Sequence, residues 1–496
     1  MRRLFNVSIL FLIMVAMSFV TAMLLLCDIA QADHFALLFL QPLSFGALTL
    51  FTYRYMYQIM SRISMVIIYL SYFCRMVLVP LFMFFGSYST LLSESVIGPH
   101  MSEAIILSCI EWIIIAFMLI YNSAKQASAN SLFENYRSGV ELDDISDNRV
   151  PQRLKILIAL MALYIIYIIL QDDSVIRQNF SLMVGTSDDW YVRAGYRSLD
   201  DVGGEGVLGV MVTAVLYFFW YIQALVPPVL LIRIMKKGTS TKTKIFQVYL
   251  IAGIVFMITT GTKAHSVECA LAFILLAYSI FGNRMRTSLK LIAYGAIVVV
   301  FVAIFAKSGL SNSAANISSV FSSYFGGVQN LSAAIYAKST GSGFGVKNIL
   351  ADFVNQIPLF GNRLRTMLNL GSTTNRLFNA AISQRNIGQI IPSIGQGYSY
   401  FGLFFAPVIP MIATSIAIGF DNKAINETNL IKKNVYLIAA IMMARAVAMT
   451  NLMSAVIYLF NTYVSLGIVW FGGRMSARMK ENKARNGNAT IIESYK

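Results

Sequence analysis

Hydrophobic residues along this chain gather into runs of roughly twenty, separated by short polar and charged stretches. The runs lie at 4–27, 35–53, 64–86, 104–121, 155–171, 206–232, 246–260, 266–282, 289–306, 396–420, 435–450 and 452–471. About 20 apolar residues coiled as an α-helix cross the roughly 30 Å hydrocarbon layer of a bilayer, and inside lipid such a helix satisfies its own backbone groups. The pattern therefore predicts an all-α fold, a polytopic transmembrane bundle of about twelve helices forming a single integral membrane domain over 1–496.

Two of the segments joining these runs are long, 172–205 and 307–395, and a basic tail covers 472–496. The larger segment has its own helical period: Phe321, Tyr324, Phe325, Val328, Leu331 and Ile335, then Val346, Ile349, Leu350, Phe353 and Ile357. Apolar stripes of that spacing predict helices lying on or dipping into a membrane face, with a packed loop domain away from lipid as the alternative.

Composition agrees with the pattern. With 57% hydrophobic residues, 12% charged residues and a mean hydropathy of +0.66, the chain exceeds what a water-soluble globule could bury. The first run follows Arg2 and Arg3 without a small-residue cleavage site, so it is expected to be an anchor rather than a removed leader. Cys27, Cys74, Cys109 and Cys269 fall in or at the edges of apolar runs with no paired spacing, which suits packing residues.

Charge sets the expected orientation. With the N-terminus inside, the inside segments hold 26 of the 39 Lys and Arg residues, so both termini are expected in the cytoplasm of a multi-pass protein of a bacterial inner or plasma membrane. The net charge of +16 then reads as topology signal and attraction to anionic membrane lipid, with no call for nucleic acid as a partner.

The large outer segment runs against that charge rule. It carries Lys338, Lys347, Arg363, Arg365, Arg376 and Arg385 against one acid, Asp352. Guanidinium groups match phosphate oxygens, so an anionic ligand is the expectation, and contact with lipid phosphates is the bland alternative. Arg363 and Arg365 are two apart and Arg376 lies eleven further on, roughly three turns of a continuing helix, which would let them converge on one diphosphate.

The smaller segment sets Arg177, Arg193 and Arg197 among seven acids that include Glu205, beside Trp190, Tyr191 and Tyr196. Such a mixture suits sugar stacking and hydrogen bonding, and equally suits interfacial anchoring. His265, in "TTGTKAHSVECA", is expected in a tight outer turn with Lys263 and Glu268, at the membrane boundary and facing the large segment. Arg75 and Arg445 sit within apolar runs, where a charge must face the bundle interior or a wet cavity; pairing with Glu111 for structural reasons is the alternative to a site role. No phosphate-binding loop, dinucleotide fingerprint or metal-ligand spacing occurs, which argues against an ATP-driven pump or a redox enzyme and predicts neither cofactor nor metal.

Four segments resemble the Wzy-type polymerases of O-antigen, capsule and related polysaccharides. "TGTKAH" is similar to that family's Gly-Thr-Arg/Lys turn and "SSYFGGVQNLSAAI" to its Tyr-x-Gly-Gly segment, followed by "IPLFGNR" and "IIPSIGQGYSYFGLFFAP". The order of runs with one smaller and one larger outer loop matches over nearly the whole chain. Some members carry Arg, ten residues, then Gly in each loop; Arg193 to Gly204 fits, whereas Arg385 stands one residue short of that spacing from Gly395. An acid common in the family near the position of Gln396 is missing here, so its role is not carried over.

The resemblance implies a metal-independent membrane glycosyltransferase, an oligosaccharide repeat unit polymerase. It would move a growing glycan from undecaprenyl diphosphate to the incoming lipid-linked unit on the outer face. Its partners would be the undecaprenyl-diphosphate-linked oligosaccharide and membrane lipid, with a chain-length regulator and a flippase as further candidates. Arg363, Arg365 and Arg376 would hold the diphosphate, with Arg193, Lys263 and Arg385 in support, and His265, Asp352 or Glu205 would serve the acceptor hydroxyl. The competing readings are a lipid-linked oligosaccharide flippase, an outer-face glycan ligase, and a lipid-phosphate-sugar glycosyltransferase. A flippase usually lacks the long outer loop, the ligases use a loop histidine absent from 308–395, and the last is kept open by Asp28 and Asp33.

Overall fold

The computed structural model describes residues 2–29, 33–88, 92–125, 132–137, 150–171, 207–235, 239–255, 263–282, 322, 325–341, 344–357, 361–382, 391–449 and 455–472. Among them there is helix and no strand. The main helices are α1 (Arg2–Cys27), α2 (Leu40–Thr52), α3 (Ile63–Phe73), α4 (Val79–Phe85), α5 (Met101–Ala124), α6 (Gln152–Gln171), α7 (Val207–Met235), α8 (Thr241–Val255) and α9 (Lys263–Phe281). They continue as α10 (Val328–Thr340), α11 (Lys347–Asn355), α12 (Gly361–Met367), α13 (Thr374–Ala381), α14 (Ser393–Phe401), α15 (Val408–Asn426), α16 (Leu430–Met449) and α17 (Ala455–Gly472).

Seven stretches of the described residues are long and apolar enough to cross a membrane: Ser8–Cys27, Asp33–Ile59, Ile63–Phe85, Glu94–Ala124, Tyr217–Met235, Val408–Asn426 and Ala455–Gly472. Of the five other expected runs, 155–171 coincides with α6, 246–260 with α8 and unassigned residues beyond it, 266–282 with the shorter apolar helix within α9, and 435–450 with α16, which carries Lys432, Lys433 and Arg445. The run 289–306 lies outside the described residues, as do 172–206 and the tail beyond Gly472.

The chain divides into two compact units, each discontinuous in sequence. The first comprises 1–135, 282–422 and 440–458, and the second 136–281, 423–439 and 459–496.

In the first unit α1, α2, α3 and α5 pack through aromatic side chains. Phe45 stacks on Trp112 with ring centres 4.9 Å apart, Trp112 meets Tyr72 at 4.9 Å, and Tyr69 packs on Phe11 and Phe45. The expected run 64–86 is not a uniform helix, because α3 passes through a π-helical turn, Cys74–Leu78, before α4. Asp421, near the end of α15, is buried and accepts from the backbone N–H of Ser64 at 3.0 Å and from its hydroxyl, which satisfies the start of α3.

The expected stripe on α10 gives way to burial on every side: Val328, Gln329, Asn330, Leu331, Ser332, Ala333, Ala334 and Ile335 are all covered. The helix shares an apolar core with Val96, Ile97, Met101, Ile105, Phe378, Ile391 and Ile394. Polar positions survive inside it because they find partners, as where the Ser332 hydroxyl donates to the Ile97 carbonyl at 2.5 Å. The expected run 396–420 is likewise two elements. α14 ends at Gly402, whose φ of +80° suits glycine, and an exposed corner containing Phe404 and Phe405 precedes α15.

The second unit packs α7 against α6, α8 and α9. Leu230, Ile251 and Val255 form a small core, and Gln223 donates to the Val255 carbonyl at 2.9 Å.

Candidate functional site

The helices α10 to α14 of the first unit occupy most of the basic segment singled out by charge. α11 is inverted for a water-soluble setting: Val346, Leu350 and Phe353 are exposed, while Asn348, Ala351 and Asp352 are buried. The polar face turns inward because it has partners there. Asn348 Nδ2 donates to the Ser372 carbonyl at 3.1 Å, and Asp352 Oδ1 accepts from the Thr374 N–H at 2.9 Å, at the start of α13. Asp352 Oδ2 accepts from the Tyr400 hydroxyl on α14.

Asp352 was expected to stand ready for an acceptor hydroxyl. The structure places it 1% exposed with both oxygens engaged, joining α11 to α13 and α14. Burial pushes its carboxyl up, and the hydrogen bonds from Thr374 and Tyr400 act the other way. The Tyr400 hydroxyl is itself pushed up, first by burial and then by the neighbouring Asp352 carboxylate.

The helix expected to continue from Arg363 through Arg376 does not. α12 closes at Met367, and the chain turns through Asn369 at φ +51° and Gly371 at φ +76° before α13. Arg363 and Arg365 lie about 200° apart around α12, because each residue advances the helix by about 100°. Arg365 is held within the fold: Nε donates to Asn355 Oδ1 at 3.1 Å, Nη2 to Asn362 Oδ1 at 2.7 Å, and Nη1 to the Gly371 carbonyl. It fastens α12 to α11 and to the turn, while Arg363 and Arg376 are exposed on separate helices. Met367 and Leu368 are exposed beside them in sequence.

Lys338, on the last turn of α10, donates to the Tyr398 carbonyl at 2.6 Å and sits 4.9 Å from the centre of that ring; burial lowers its ammonium's proton affinity. Arg385, Arg193 and Glu205 lie outside the described residues.

His265 is not in a turn. It occupies the first turn of α9, which begins at Lys263, and it is buried in the second unit, stacked on Trp220 with ring centres 3.8 Å apart. Glu268 Oε2 lies 3.6 Å from its Nδ1, and Cys269 is four residues on. The helix starts early enough to put His265, Glu268 and Cys269 one turn apart, and the apolar surroundings cover them.

The two arginines inside apolar runs both have partners within the first unit. Arg75, in the π-helical turn, and Glu111, on α5, form an ion pair at 2.9 Å with both side chains fully buried. Arg445 donates to the Tyr458 hydroxyl at 2.6 Å.

One cluster passed unnoticed in the sequence. His100, in the 3₁₀ turn Gly98–His100 that opens α5, has Nδ1 3.1 Å from Glu103 Oε2 and Nε2 3.1 Å from the hydroxyl of Ser339, at the end of α10. The spacing of His100 and Glu103 across a helix start was a local signal; Ser339, 239 residues away, was not. Among the described residues no three His, Cys, Asp or Glu side chains gather as metal ligands.

No family model matches this chain, and neither a curated protein nor a solved structure matches it.

Proposed function

We propose that this protein is a membrane glycosyltransferase, a polymerase that transfers a growing glycan from undecaprenyl diphosphate to an incoming lipid-linked repeat unit on the outer face of a bacterial membrane. The observation that carries this reading is the composition of the α11–α13 surface. Exposed cations, Lys347, Arg363 and Arg376, alternate along the chain with exposed apolar side chains, Val346, Leu350, Phe353, Met367 and Leu368. A lipid diphosphate presents that same pair of chemistries, a strongly anionic head on a hydrocarbon tail. Helices whose apolar faces rest in the outer leaflet hold their cations at headgroup depth, where the diphosphate of the carrier travels.

In this reading Arg363 and Arg376 bind the diphosphate and stabilise the charge that builds on it as the glycosidic bond breaks. Arg365 and Asp352 keep α11, α12 and α13 in their mutual arrangement. The removal of both Arg363 and Arg376 by alanine, with expression in the membrane verified, is expected to abolish long polymer while single repeat units remain displayed. A ladder of unchanged length on a gel resolving repeat number would sink the diphosphate role. Lipid-linked units trapped on the cytoplasmic side of a deletion strain would instead indicate a flippase.

A further inference from the structure

A glycosyl transfer to a sugar hydroxyl needs somewhere for the hydroxyl proton to go, and Asp352 is sealed within the fold. His100 has the features of an acceptor. Its ring is a quarter exposed, Glu103 stands at one nitrogen, and the other nitrogen points at a hydroxyl contributed by a different helix. A carboxylate at Nδ1 fixes the tautomer that leaves a lone pair on Nε2; that lone pair faces the Ser339 oxygen, which has the Tyr336 carbonyl as its own acceptor and marks the position a sugar hydroxyl would take once the serine side chain turns aside.

Ser339 is not a nucleophile activated by this histidine. Its hydroxyl donates to the Tyr336 carbonyl at 2.8 Å, and it lies on the last turn of α10, where backbone carbonyls rather than N–H groups are unsatisfied and no oxyanion site can form. The other titratable groups on the elements packed around His100 are Glu94 in the short helix Glu94–Ile97, Tyr336 and Lys338 on α10, Tyr398 and Tyr400 on α14, and Asp33 and His34, the ring of the latter lying against Gly98. Tyr398 is pushed up by burial and then by the negative charge of Glu103.

We infer that His100 and Glu103 are a proton-accepting dyad for the acceptor sugar hydroxyl, with Nε2 of His100 as the base and Glu103 as its positioning residue. This rests on the transferase reading above. In the step, the acceptor oxygen forms its bond to the anomeric carbon of the donor glycan. The bond from that carbon to the diphosphate breaks, its electron pair leaving on the phosphate oxygen, and the hydroxyl proton moves to Nε2. Solvent then removes it from the exposed ring.

The test uses purified full-length protein added to membrane vesicles from a host that lacks the gene and accumulates its own lipid-diphosphate-linked repeat units. His100→Gln is expected to slow polymer formation by about 10²- to 10⁴-fold, the usual contribution of a positioned base, with an unchanged melting temperature and loss of the acid limb of the pH–rate profile. His100→Ala is expected to regain activity with added imidazole, which a structural role would not show, and Glu103→Gln to lower kcat with KM unchanged while Glu103→Asp keeps part of the rate. Ser339→Ala is expected to retain activity. Wild-type rate and pH profile in both His100 variants overturn the dyad. Loss of activity in Ser339→Ala, together with labelling of wild-type Ser339 by a fluorophosphonate, overturns it in favour of a serine nucleophile. A wild-type protein that forms no polymer overturns the transferase reading and the dyad with it.

Discussion

Arg75 and Glu111 show what a single charge inside an apolar run demands. The pair lies 2.9 Å apart, and neither side chain reaches solvent. Removing one member strands the other in a low-dielectric core, so Arg75→Met or Glu111→Leu alone is expected to cost about 3–5 kcal/mol, and the double replacement far less than the sum of the two. Thermal unfolding of the protein in a mild detergent, run as a double-mutant cycle, measures this. The partnership was legible in the sequence, because lipid leaves an arginine few options and Glu111 was the nearby intramembrane acid.

The roles of Asp352 and Arg365 were not legible, since a residue's hydrogen bonds to Tyr400 or Gly371 depend on turns that hydropathy does not encode. Asp352 also makes a pH prediction. Its carboxyl is raised above its unfolded value by burial, so the stability it contributes is full at pH values below the ordinary Asp range and declines as pH rises through the raised folded-state value. Asp352→Asn is expected to flatten that decline, seen as melting temperature against pH.

At the scale of elements, the sequence predicted helices well where one polarity ran unbroken and poorly where lipid and protein exchange roles. The stripe of α11 was visible, yet which face is covered depends on whether the other side meets water or hydrocarbon. Val346, Leu350 and Phe353 are outward, and in the proposed membrane setting lipid would remove the cost of their exposure. A tryptophan at position 350 is expected to be quenched by brominated acyl chains in vesicles, while one replacing Asn362, exposed on α12, is expected to be quenched less.

The break between α14 and α15 hid in the same way, because "YSYFGLFFAP" stays apolar straight through it. The signs were Gly402, which ends α14, and Pro407, which precedes α15. Their corner is tight: a Cβ added to Gly397 would meet the Ala406 carbonyl oxygen at 2.0 Å. Gly397→Ala is therefore expected to destabilise by about 1–3 kcal/mol through overpacking, read by unfolding in detergent.

For the whole molecule, composition and run length were enough to recognise an all-helical protein suited to a membrane, and seven stretches long and apolar enough to cross one stand among the described residues. The organisation into two units was not legible, because each gathers segments far apart in sequence. The proposed orientation, with the N-terminus inside, makes a direct prediction. Cys27 is exposed at the far end of the first crossing helix, whereas Cys269 is buried and Cys74 and Cys109 are partly covered. A membrane-impermeant maleimide applied to intact spheroplasts is expected to label Cys27, and Cys27→Ser is expected to remove most of the signal. Labelling confined to inside-out vesicles would reverse the topology.

The π-helical turn at Cys74–Leu78 has a consequence for how this bundle tolerates changes of length. A turn of this kind is one surplus residue absorbed without rotating the helix on either side of it. Loss of one residue there returns the backbone to a plain α-helix with Tyr72 and Met83 still facing inward, and what disappears is the local widening around Arg75. The same deletion in the middle of α5 would swing everything beyond it by about 100° and turn a buried face toward lipid. Natural variation in length between α3 and α4 is therefore expected to fall inside this turn.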